Sequence, residues 1–417
     1  MDFALTDDQR LLKDTIRRFM EAEMRPILRE YEREERFPLE QISKLGELGC
    51  CGIMVPEEWG GAGADAATYV VMLEEVARVC ASTAVTLSVT NSAGCAPLVR
   101  HGTPAQKEKY LRRLASGEIL GSFCLTEPGA GSDAAAITTR AVRTGGGYLL
   151  SGTKTWVSSG GVSGVYIVFA KTDPGAGARG ISAFLVEPNF RGFRVSRYED
   201  KMGLRMSRTA EVTLDQCEVP AENLLGVENQ GLKVALGALD GGRIGIAAQA
   251  VGLAQGALEA SVHYAQQRRA FGKNIAEFQA IQWMLADMQT EIEAARGLTF
   301  YAAWRYDQNS QREGAAGDLA SGKTRAGADA ARAKLYASEM VNRVVYKAVQ
   351  IHGSMGYSRE SDVERMYRDA RVITIYEGTS EIQRTIIARD LLSRGSGFGS
   401  HDSGQGASSA VPAGTAQ

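Results

Sequence analysis

The pattern of hydrophobic residues changes twice along the chain and divides it into three regions, two of which are predicted to be helical and one to be β-structure. To about residue 120 they recur every three or four positions, as on an amphipathic helix. Thr6 and Gln9 form a capping box that opens the first helix, and Pro26 should end or kink that helix. Two further helices are expected over about 39–48 and 66–79. The first part of the chain is therefore predicted to be helical.

The middle of the chain changes to short apolar and β-branched runs, among them VYIVFA, ISAFLV and AEVTL. Three glycines at 145–147 separate two such runs and are typical of a hairpin. A continuous run such as VYIVFA could also be a buried helix, but its length and flanking glycines favour a strand. We expect a small antiparallel β-domain of six or seven strands.

Helical spacing returns after about residue 236. Two apolar stripes indicate a bundle, one through Ile244, Ala247, Val251, Ala254, Leu258 and Val262, the other through Phe278, Ile281, Leu285, Met288, Ile292 and Ala295. REGAAGDLASGKT (312–324) should be a loop between helices, followed by a long helix over about 322–352. The end of the chain is rich in Gly, Ser and Ala and should be disordered.

The predicted fold is therefore α+β and mostly α. It has an N-terminal helical domain (1–120), a central antiparallel β-domain (121–235), a C-terminal four-helix bundle (236–394) and a disordered tail (395–417).

Composition narrows the functional classes. The formal net charge is −2 and the pI about 6.2, so neither nucleic acid nor an anionic membrane is an expected partner. Six scattered cysteines without a C-x-x-C pair indicate reduced thiols, and four distant histidines make a metal site improbable. No run of 18 apolar residues predicts a membrane span, and MDFALTDDQR lacks a signal or transit pattern. We therefore expect a cytoplasmic protein without membrane insertion.

Two segments combine polar side chains with glycine. In LTEPGAGSD (125–133) a proline and two glycines force a turn beside the hydroxyls of Thr126 and Ser132, a loop able to bind a heteroaromatic edge or a phosphate. In KTWVSSGG (154–161) Trp156 and Ser158 lie on one face of a strand, which suits a planar cofactor. An interdomain turn and a partly buried strand tryptophan explain the same residues without a ligand.

The segment IYEGTSEIQR (375–384) carries a candidate base. Ser380 and Gln383 predict a capping box and a helix that begins at Ser380, with Glu377 on the preceding loop. Gly378 permits close backbone approach to a ligand. A carboxylate at such a junction in an apolar cleft is a plausible general base, although a helix-entry acid stabilised by the helix dipole is the simpler interpretation.

Taken together and in this order, six segments make the chain similar to the acyl-CoA dehydrogenase family over residues 1 to about 394. They are LTEPGAGSD, KTWVSSG, DGGRIGIAAQAVG, RRAFGKNIAEFQAIQ, QIHGSMGY and YRDARVITIYEGTSEIQR. The chain resembles the short-chain (butyryl-CoA) branch most, especially in LDGGRIGIAAQA and YEGTSEIQR. QIHGSMG departs from the family pattern because Ser354 replaces a second glycine; a small residue there should preserve the backbone contact.

The resemblance implies a homotetramer in which FAD lies between the β-domain and the C-terminal bundle and is completed by a neighbouring subunit. It implies contacts to the flavin ring and its surroundings from Phe123, Leu125, Thr126, Ser132, Trp156, Ser158, Thr379 and Glu381. It implies contacts to the adenosine and pyrophosphate from Gln350 and Gly353 and, across the subunit boundary, from Arg268, Phe271 and Gln279. The acyl-CoA would meet Ser132, Asp240, Arg243 and Gly378.

The implied reaction is the α,β-dehydrogenation of a short-chain acyl-CoA to a trans-2-enoyl-CoA. Glu377 would take the α-proton while the β-hydride passes to flavin N5, and electron-transfer flavoprotein would reoxidise the flavin. Hydrogen bonds to the thioester oxygen, one from the backbone N–H of Glu377, would stabilise the enolate charge.

Relatives with other chemistry differ at identifiable positions. Isovaleryl- and long-chain-type enzymes carry the base where this chain has Gly242, and glutaryl-type enzymes carry an arginine where it has Ala84. Nitroalkane-oxidising relatives place Asp at position 377, and acyl-CoA oxidases have an added domain. A branched or aromatic short acyl-CoA remains an alternative substrate, and a non-catalytic flavin- or acyl-CoA-binding relative an alternative function.

Overall fold

This computed structural model of the protein describes residues 4–316 and 325–393. Helices fill the first part, as the hydrophobic spacing predicts. Helix α1 (Asp7–Phe19) opens on the capping box of Thr6 and Gln9, both of whose hydrogen bonds form. A π-helical turn (Met20–Met24) follows, and Pro26 lies in the break before the next helix. The remaining helices are α2 (Leu28–Glu34), α3 (Leu39–Glu47), α4 (Ala66–Val79), α5 (Ala81–Val89), α6 (Ala96–His101), α7 (Pro104–Gln106) and α8 (Arg112–Ala115), with a second π-helical turn (Thr90–Cys95) joining α5 to α6.

The middle of the chain forms one sheet of eight strands. They are β1 (Gly121–Cys124), β2 (Arg140–Arg143), β3 (Gly147–Ser158), β4 (Val165–Lys171), β5 (Ile181–Val186), β6 (Phe193–Tyr198), β7 (Thr209–Pro220) and β8 (Leu224–Leu225). Their order is β6-β7-β3-β2-β4-β5-β8, with β1 beside β4. The predicted hairpin at the three glycines is confirmed as β2–β3. Two details differ from the expectation: the short β8 raises the strand number, and β4 pairs in parallel with β1 and, at one residue, with β2.

Strand β4 explains why VYIVFA has no polar positions. Val165, Ile167 and Phe169 pack toward the helices of the N-terminal part, whereas Tyr166 and Val168 pack on the other face, among side chains of the sheet itself. Both faces of the strand are therefore buried, so alternation of polar and apolar residues is lost. One face of the sheet packs against helices, and the other face is covered by apolar side chains that come from the sheet itself.

The C-terminal part is a helical bundle. Its helices are α9 (Gly231–Gln267), α10 (Gln279–Ala316), α11 (Arg325–His352), α12 (Asp362–Arg371) and α13 (Ser380–Ser393), and a small hairpin of β9 (Arg269–Ala270) and β10 (Lys273–Asn274) joins the first two. Helices α9, α10 and α11 pack along one another, and α13 packs on α11. The α9 stripe is buried from Ile244 to Leu258, and the α10 stripe is buried at Met288, Ile292 and Ala295.

The boundary between α10 and α11 differs from the prediction. The expected loop began at residue 312, but α10 continues to Ala316, so the first five residues of REGAAGDLASGKT are helical. The rest of that loop, the first residues of the predicted long helix and the predicted disordered tail lie outside the described residues.

Helices α4 and α9 pack closely and join the N-terminal helices to the bundle. A Cβ at Gly252 would lie 2.2 Å from the carbonyl oxygen of Glu74, and one at Gly256 would lie 2.2 Å from that of Arg78. Only glycine allows the two backbones to approach so far. One continuous apolar core therefore runs from α1 and α4 through α9 to α11 and α12. Within the described residues, no helix is long and apolar enough to cross a membrane.

Candidate active site

The loop before α13 turns at two consecutive residues with left-handed backbone. Glu377 has a φ of 53° and Gly378 a φ of 88°. This conformation costs an L-residue roughly 1–2 kcal/mol, so neighbouring groups must hold it. Lys334 Nζ and Gln383 Nε2 each donate to the Gly378 carbonyl at 2.8 Å, and Gln383 also donates to the Glu377 carbonyl at 3.2 Å. A Cβ at position 378 would lie 2.7 Å from Gln383 Nε2, so the turn requires glycine.

Helix α13 begins at Ser380 as predicted, but the predicted capping box is wrong. The hydroxyl of Thr379 accepts from the backbone N–H of Ile382 at 3.3 Å. The Gln383 side chain turns back to the two carbonyls of the preceding turn, and Ser380 Oγ is buried without a partner among the described residues. The physical reason is that buried carbonyls must find donors, and Gln383 supplies one.

The Glu377 carboxylate points at α9 where that helix has no side chain. A Cβ at Gly242 would lie 2.8 Å from Glu377 Oε2 and 3.5 Å from Ser92 Oγ. Oε2 is buried and accepts no hydrogen bond from any described residue. Burial raises the pKa of Glu377, while the Arg243 guanidinium and the Lys334 ammonium act in the opposite direction. Burying a carboxylate oxygen without a donor is costly, so protonation of Oε2 would relieve part of that cost.

Arg243 and Asp240 lie beside this carboxylate on α9. Arg243 is buried, and its Nη1 donates to Asp240 Oδ1 at 2.8 Å while its Nε has no partner among the described residues. Burial raises the pKa of Asp240, against the charges of Arg243 and Arg100. The Arg243 Nε–H is thus a donor without a partner among the described residues near the Glu377 carboxylate, which suits the polar part of a thioester.

Hydroxyl groups from neighbouring helices lie against α9 close to the Glu377 carboxylate. A Cβ at Gly245, one turn beyond Gly242 on α9, would lie 2.2 Å from Tyr69 Oη and 2.4 Å from Ser88 Oγ. These two hydroxyls are 3.0 Å apart, and Ser92 Oγ donates to the Ser88 carbonyl at 2.7 Å. Tyr69 and Ser88 therefore pack directly on α9 at Gly245, about one helical turn, roughly 5 Å, from Gly242.

The loop LTEPGAGSD is anchored by a carboxylate that sequence reasoning did not single out. Glu127 accepts from the backbone N–H and the hydroxyl of both Thr138 and Thr139, and from Lys154 Nζ at 2.8 Å. Lys154 is fully buried and also donates to the Leu125 carbonyl at 3.1 Å. These contacts, with the Lys154 ammonium foremost, lower the pKa of Glu127 to about 2 although burial opposes them. The loop is thus rigid where it leaves β1.

The predicted cofactor residues of this loop differ in exposure. Leu125 is buried, Phe123 is half-buried with its ring 4.8 Å from that of Phe169, and Ser132 is exposed. Thr126 is half-buried, and its carbonyl accepts from the Thr155 N–H at 2.9 Å. That bond brings LTEPGAGSD next to KTWVSSGG, so the two candidate segments form one surface.

Trp156 lies in a bulge of β3, with a left-handed φ of 58° and 60% of its surface exposed. Trp156 is thus a strand residue with part of its surface covered, as the interpretation without a ligand also predicts. Ser158 is half-buried on the same face of the strand, and the buried hydroxyls of Thr155 and Ser159 have no partners among the described residues. An exposed indole beside free hydroxyls fits the flat, hydrogen-bonding ring system of a flavin. Thr379 (half-buried) and Glu381 (exposed) stand at the start of α13.

The remaining predicted residues lie at the far end of the bundle. Arg268, Phe271 and Gln279 follow α9, and Gln350 and Gly353 close α11; all five are exposed. Tyr264 and His352 stack at 4.3 Å and so bring these two ends together. Phe271 is 96% exposed at a left-handed φ of 50°, which is unusual for a large apolar side chain. Arg268 lies twenty-six residues along α9 from Gly242, or about 39 Å.

The structure thus gathers Glu377, Gly378, Asp240 and Arg243 at one place and puts the five exposed residues elsewhere. Sequence reasoning missed Lys334 and gave Gln383 a different role, although both side chains hold the turn. A single lysine within the alanine-rich ADAARAKLYAS could have drawn attention to Lys334, because it falls on the apolar face of α11.

Comparison with known proteins agrees with these features. Models of the N-terminal, middle and C-terminal domains of acyl-CoA dehydrogenases match residues 6–118, 122–217 and 229–392. The short-chain specific acyl-CoA dehydrogenase of Clostridium acetobutylicum is 44% identical over 389 residues, 93% of this chain and 99% of that protein.

Two solved structures have the same fold. The butyryl-CoA dehydrogenase of Megasphaera elsdenii is 42% identical with a TM-score of 0.89, over 94% of this chain and all of that one. A chain from a structure of the electron transferring flavoprotein of Acidaminococcus fermentans is 44% identical with a TM-score of 0.89, over the same shares. The chain therefore belongs to the acyl-CoA dehydrogenase family of oxidoreductases.

Proposed function

We propose that this protein oxidises a short-chain acyl-CoA to the trans-2-enoyl-CoA, with Glu377 as the base that removes the α-proton. One observation carries the proposal: Glu377 Oε2 is buried, unpaired within the described residues and directed into the space left by Gly242. Relatives that carry the base on α9 would need an acid at position 242. Because position 242 is a glycine without a side chain, Glu377 is the residue that we propose as the base.

The chain's own groups can perform the proton transfer. An α-proton of a thioester is weakly acidic, so the base needs a raised pKa and the enolate oxygen needs hydrogen-bond donors. Burial supplies the first for Glu377. For the second, the backbone N–H of Glu377 donates to no acceptor in the described parts of the chain. Arg243 and Asp240 would orient the pantetheine or acyl portion, together with Gly378 and Ser132.

The residues around Trp156 fit FAD, which would be the resident cofactor. Trp156, Ser158, Thr126 and the loop from Phe123 would hold the isoalloxazine ring, with Thr379 and Glu381 at the start of α13. When bound, FAD supplies the two-electron acceptor for the hydride from the β-carbon. The protein then provides orientation, exclusion of water and the proton acceptor.

A second subunit would complete the cofactor site. Arg268 lies about 39 Å along α9 from Gly242, farther than an extended flavin dinucleotide reaches. Arg268, Phe271 and Gln279, with Gln350 and Gly353, would therefore bind the adenosine and pyrophosphate of a neighbour's FAD, as in a homotetramer. The exposure of Phe271 supports this arrangement because such a ring is normally covered.

The packing of Tyr69 and Ser88 on α9 at Gly245, about one helical turn from Gly242, supports a short acyl chain because it would leave little room beyond Glu377. A branched or aromatic short acyl-CoA is the alternative substrate. Glutaryl-CoA is disfavoured because Ala84 stands where that branch has its arginine. Electron-transfer flavoprotein is the proposed electron acceptor, a partner consistent with the likeness to a chain from the Acidaminococcus structure.

The test is anaerobic reduction of the purified yellow protein by C4, C6, C8 and branched acyl-CoAs, followed as loss of flavin absorbance. We expect C4 to reduce the flavin fastest. Glu377→Gln should keep FAD and ligand binding but lose at least 10³-fold in the reduction rate, since the base is removed. Glu40→Gln, an exposed glutamate on α3, is the matched control and should behave like the wild type. Normal bleaching by Glu377→Gln would place the base on another residue.

A further inference from the structure

One buried cation beside the Glu377 turn has no role in the chemistry above. Lys334 lies on α11 with its side chain fully buried, and its Nζ donates to the Gly378 carbonyl at 2.8 Å. Its interaction with Glu377 is through space and not a direct contact. Burying an ammonium group without a contacting counter-ion is unfavourable because the charge loses its hydration. Helix packing would be served better by an apolar residue of the same length.

Lys334 is also the group that ties the turn to the bundle. The other side chain that donates to the Gly378 carbonyl, Gln383, belongs to α13, which continues directly from the turn. Lys334 comes from a different helix, so it fixes where the turn stands relative to α11. Glu377 and Gly378 both have left-handed backbone, which is strained at Glu377. The direction of the Glu377 side chain therefore depends on the hydrogen bond from Lys334 that holds the turn.

The charges around Lys334 come from four elements. Glu377 on the turn, Glu339 on α11 and Glu381 on α13 favour its protonated form, whereas Arg243 on α9 opposes it. Desolvation is the largest influence and lowers the pKa of Lys334 to about 8. Around Glu377 itself stand the two cations Arg243 and Lys334, and the phenols of the buried Tyr69 and the half-buried Tyr376.

We propose that Lys334 is a positioning residue for the dehydrogenation. Its hydrogen bond to the Gly378 carbonyl aims the Glu377 carboxylate, and its positive charge favours the ionised form of that carboxylate next to the thioester. The inference rests on the function proposed above, because it assigns Lys334 a role only if Glu377 is the base.

Proton transfer can be measured apart from oxidation. Acetyl-CoA has α-protons but no β-carbon, so it cannot be dehydrogenated. The experiment follows exchange of its α-protons in D2O by NMR on the flavin-loaded protein, across pH 5 to 9. Variants are Lys334→Met, without charge or donor, and Lys334→Arg, with both. Lys347→Met is the control, since this lysine of α11 pairs with Asp287 and Glu291 away from the turn.

Lys334→Met should slow exchange at least ten-fold and move the acid limb of its pH profile to higher pH. The direction follows because loss of a nearby cation raises a carboxylate pKa, so Glu377 stays protonated to higher pH. Lys334→Arg should keep the wild-type acid limb at a reduced rate, and Lys347→Met should match the wild type.

Two results would overturn the proposal. One is a folded Lys334→Met protein with an exchange rate within two-fold of the wild type and an unmoved acid limb. The other is loss of folding in both Lys334→Met and Lys334→Gln while Lys347→Met folds, which would make Lys334 structural only. Absence of both exchange and flavin reduction in the wild type would instead refute the proposed function itself.

Discussion

Gly242→Ala should raise the stability of α9 and lower activity together. Within a helix, alanine is about 0.5–1 kcal/mol more favourable than glycine. The added Cβ would lie 2.8 Å from Glu377 Oε2, whereas ordinary contact begins near 3.4 Å. The carboxylate must therefore move by about 0.6 Å. A misplacement of 1 Å can cost 10²-fold in rate, so we expect a loss of roughly ten- to fifty-fold.

The assay is anaerobic stopped-flow reduction of the flavin by butyryl-CoA, with thermal unfolding of the same samples. Gly297→Ala is the matched control, because this glycine lies inside α10 with nothing within 4 Å of its added Cβ. Gly297→Ala should raise Tm by about 0.5–1 °C at an unchanged rate. Gly242→Ala should raise Tm less, since the contact with Glu377 offsets part of the helical gain.

A wild-type reduction rate in Gly242→Ala would refute the reasoning, because the carboxylate could then not be pressed against this face of α9. A loss of rate accompanied by a Tm several degrees below the wild type would refute it as well. That result would mean that the glycine is required for folding and not to make room for the base.

Two further predictions concern stability. Lys154→Met leaves the Glu127 carboxylate buried without its cation and should lower the free energy of unfolding by roughly 3–5 kcal/mol. Lys109→Met, which breaks an ion pair nearer the surface, should lower it by less than about 1 kcal/mol. Equal Tm losses in the two variants would contradict this reasoning. Burial raises the pKa of Asp307 from 3.8 to about 6 against the hydrogen bond from the Ala66 N–H, so its stabilising contribution is complete below pH 3.8 and is lost as pH rises through 6. Asp307→Asn should remove that part of the pH dependence of Tm, and an unchanged profile would show that Asp307 does not cause it.

Local rules succeeded where neighbouring residues alone decide the structure. The capping box at Thr6, the break at Pro26 and the hairpin at three glycines depend on contacts a few residues apart, and all three are confirmed. The same rule failed at Ser380. There Gln383 Nε2 donates to the carbonyls of Gly378 and Glu377, five and six residues before it, because the left-handed turn directs them toward this side chain, and Lys334 of another helix holds that turn.

The sequence by itself determined the order helical, β, helical, because hydrophobic spacing records which face of each element is buried. Its motifs also indicated the family and Glu377. Only the tertiary structure decided how the Glu377 carboxylate is held. Gly242 lies 135 residues before Glu377, and Lys334 lies 43 residues before it. The packing of α9 and α11 places Gly242, which has no side chain, and the buried Lys334 close to the Glu377 carboxylate. Steric and electrostatic interactions depend on distance in space, so the separation of these residues along the sequence does not reveal them.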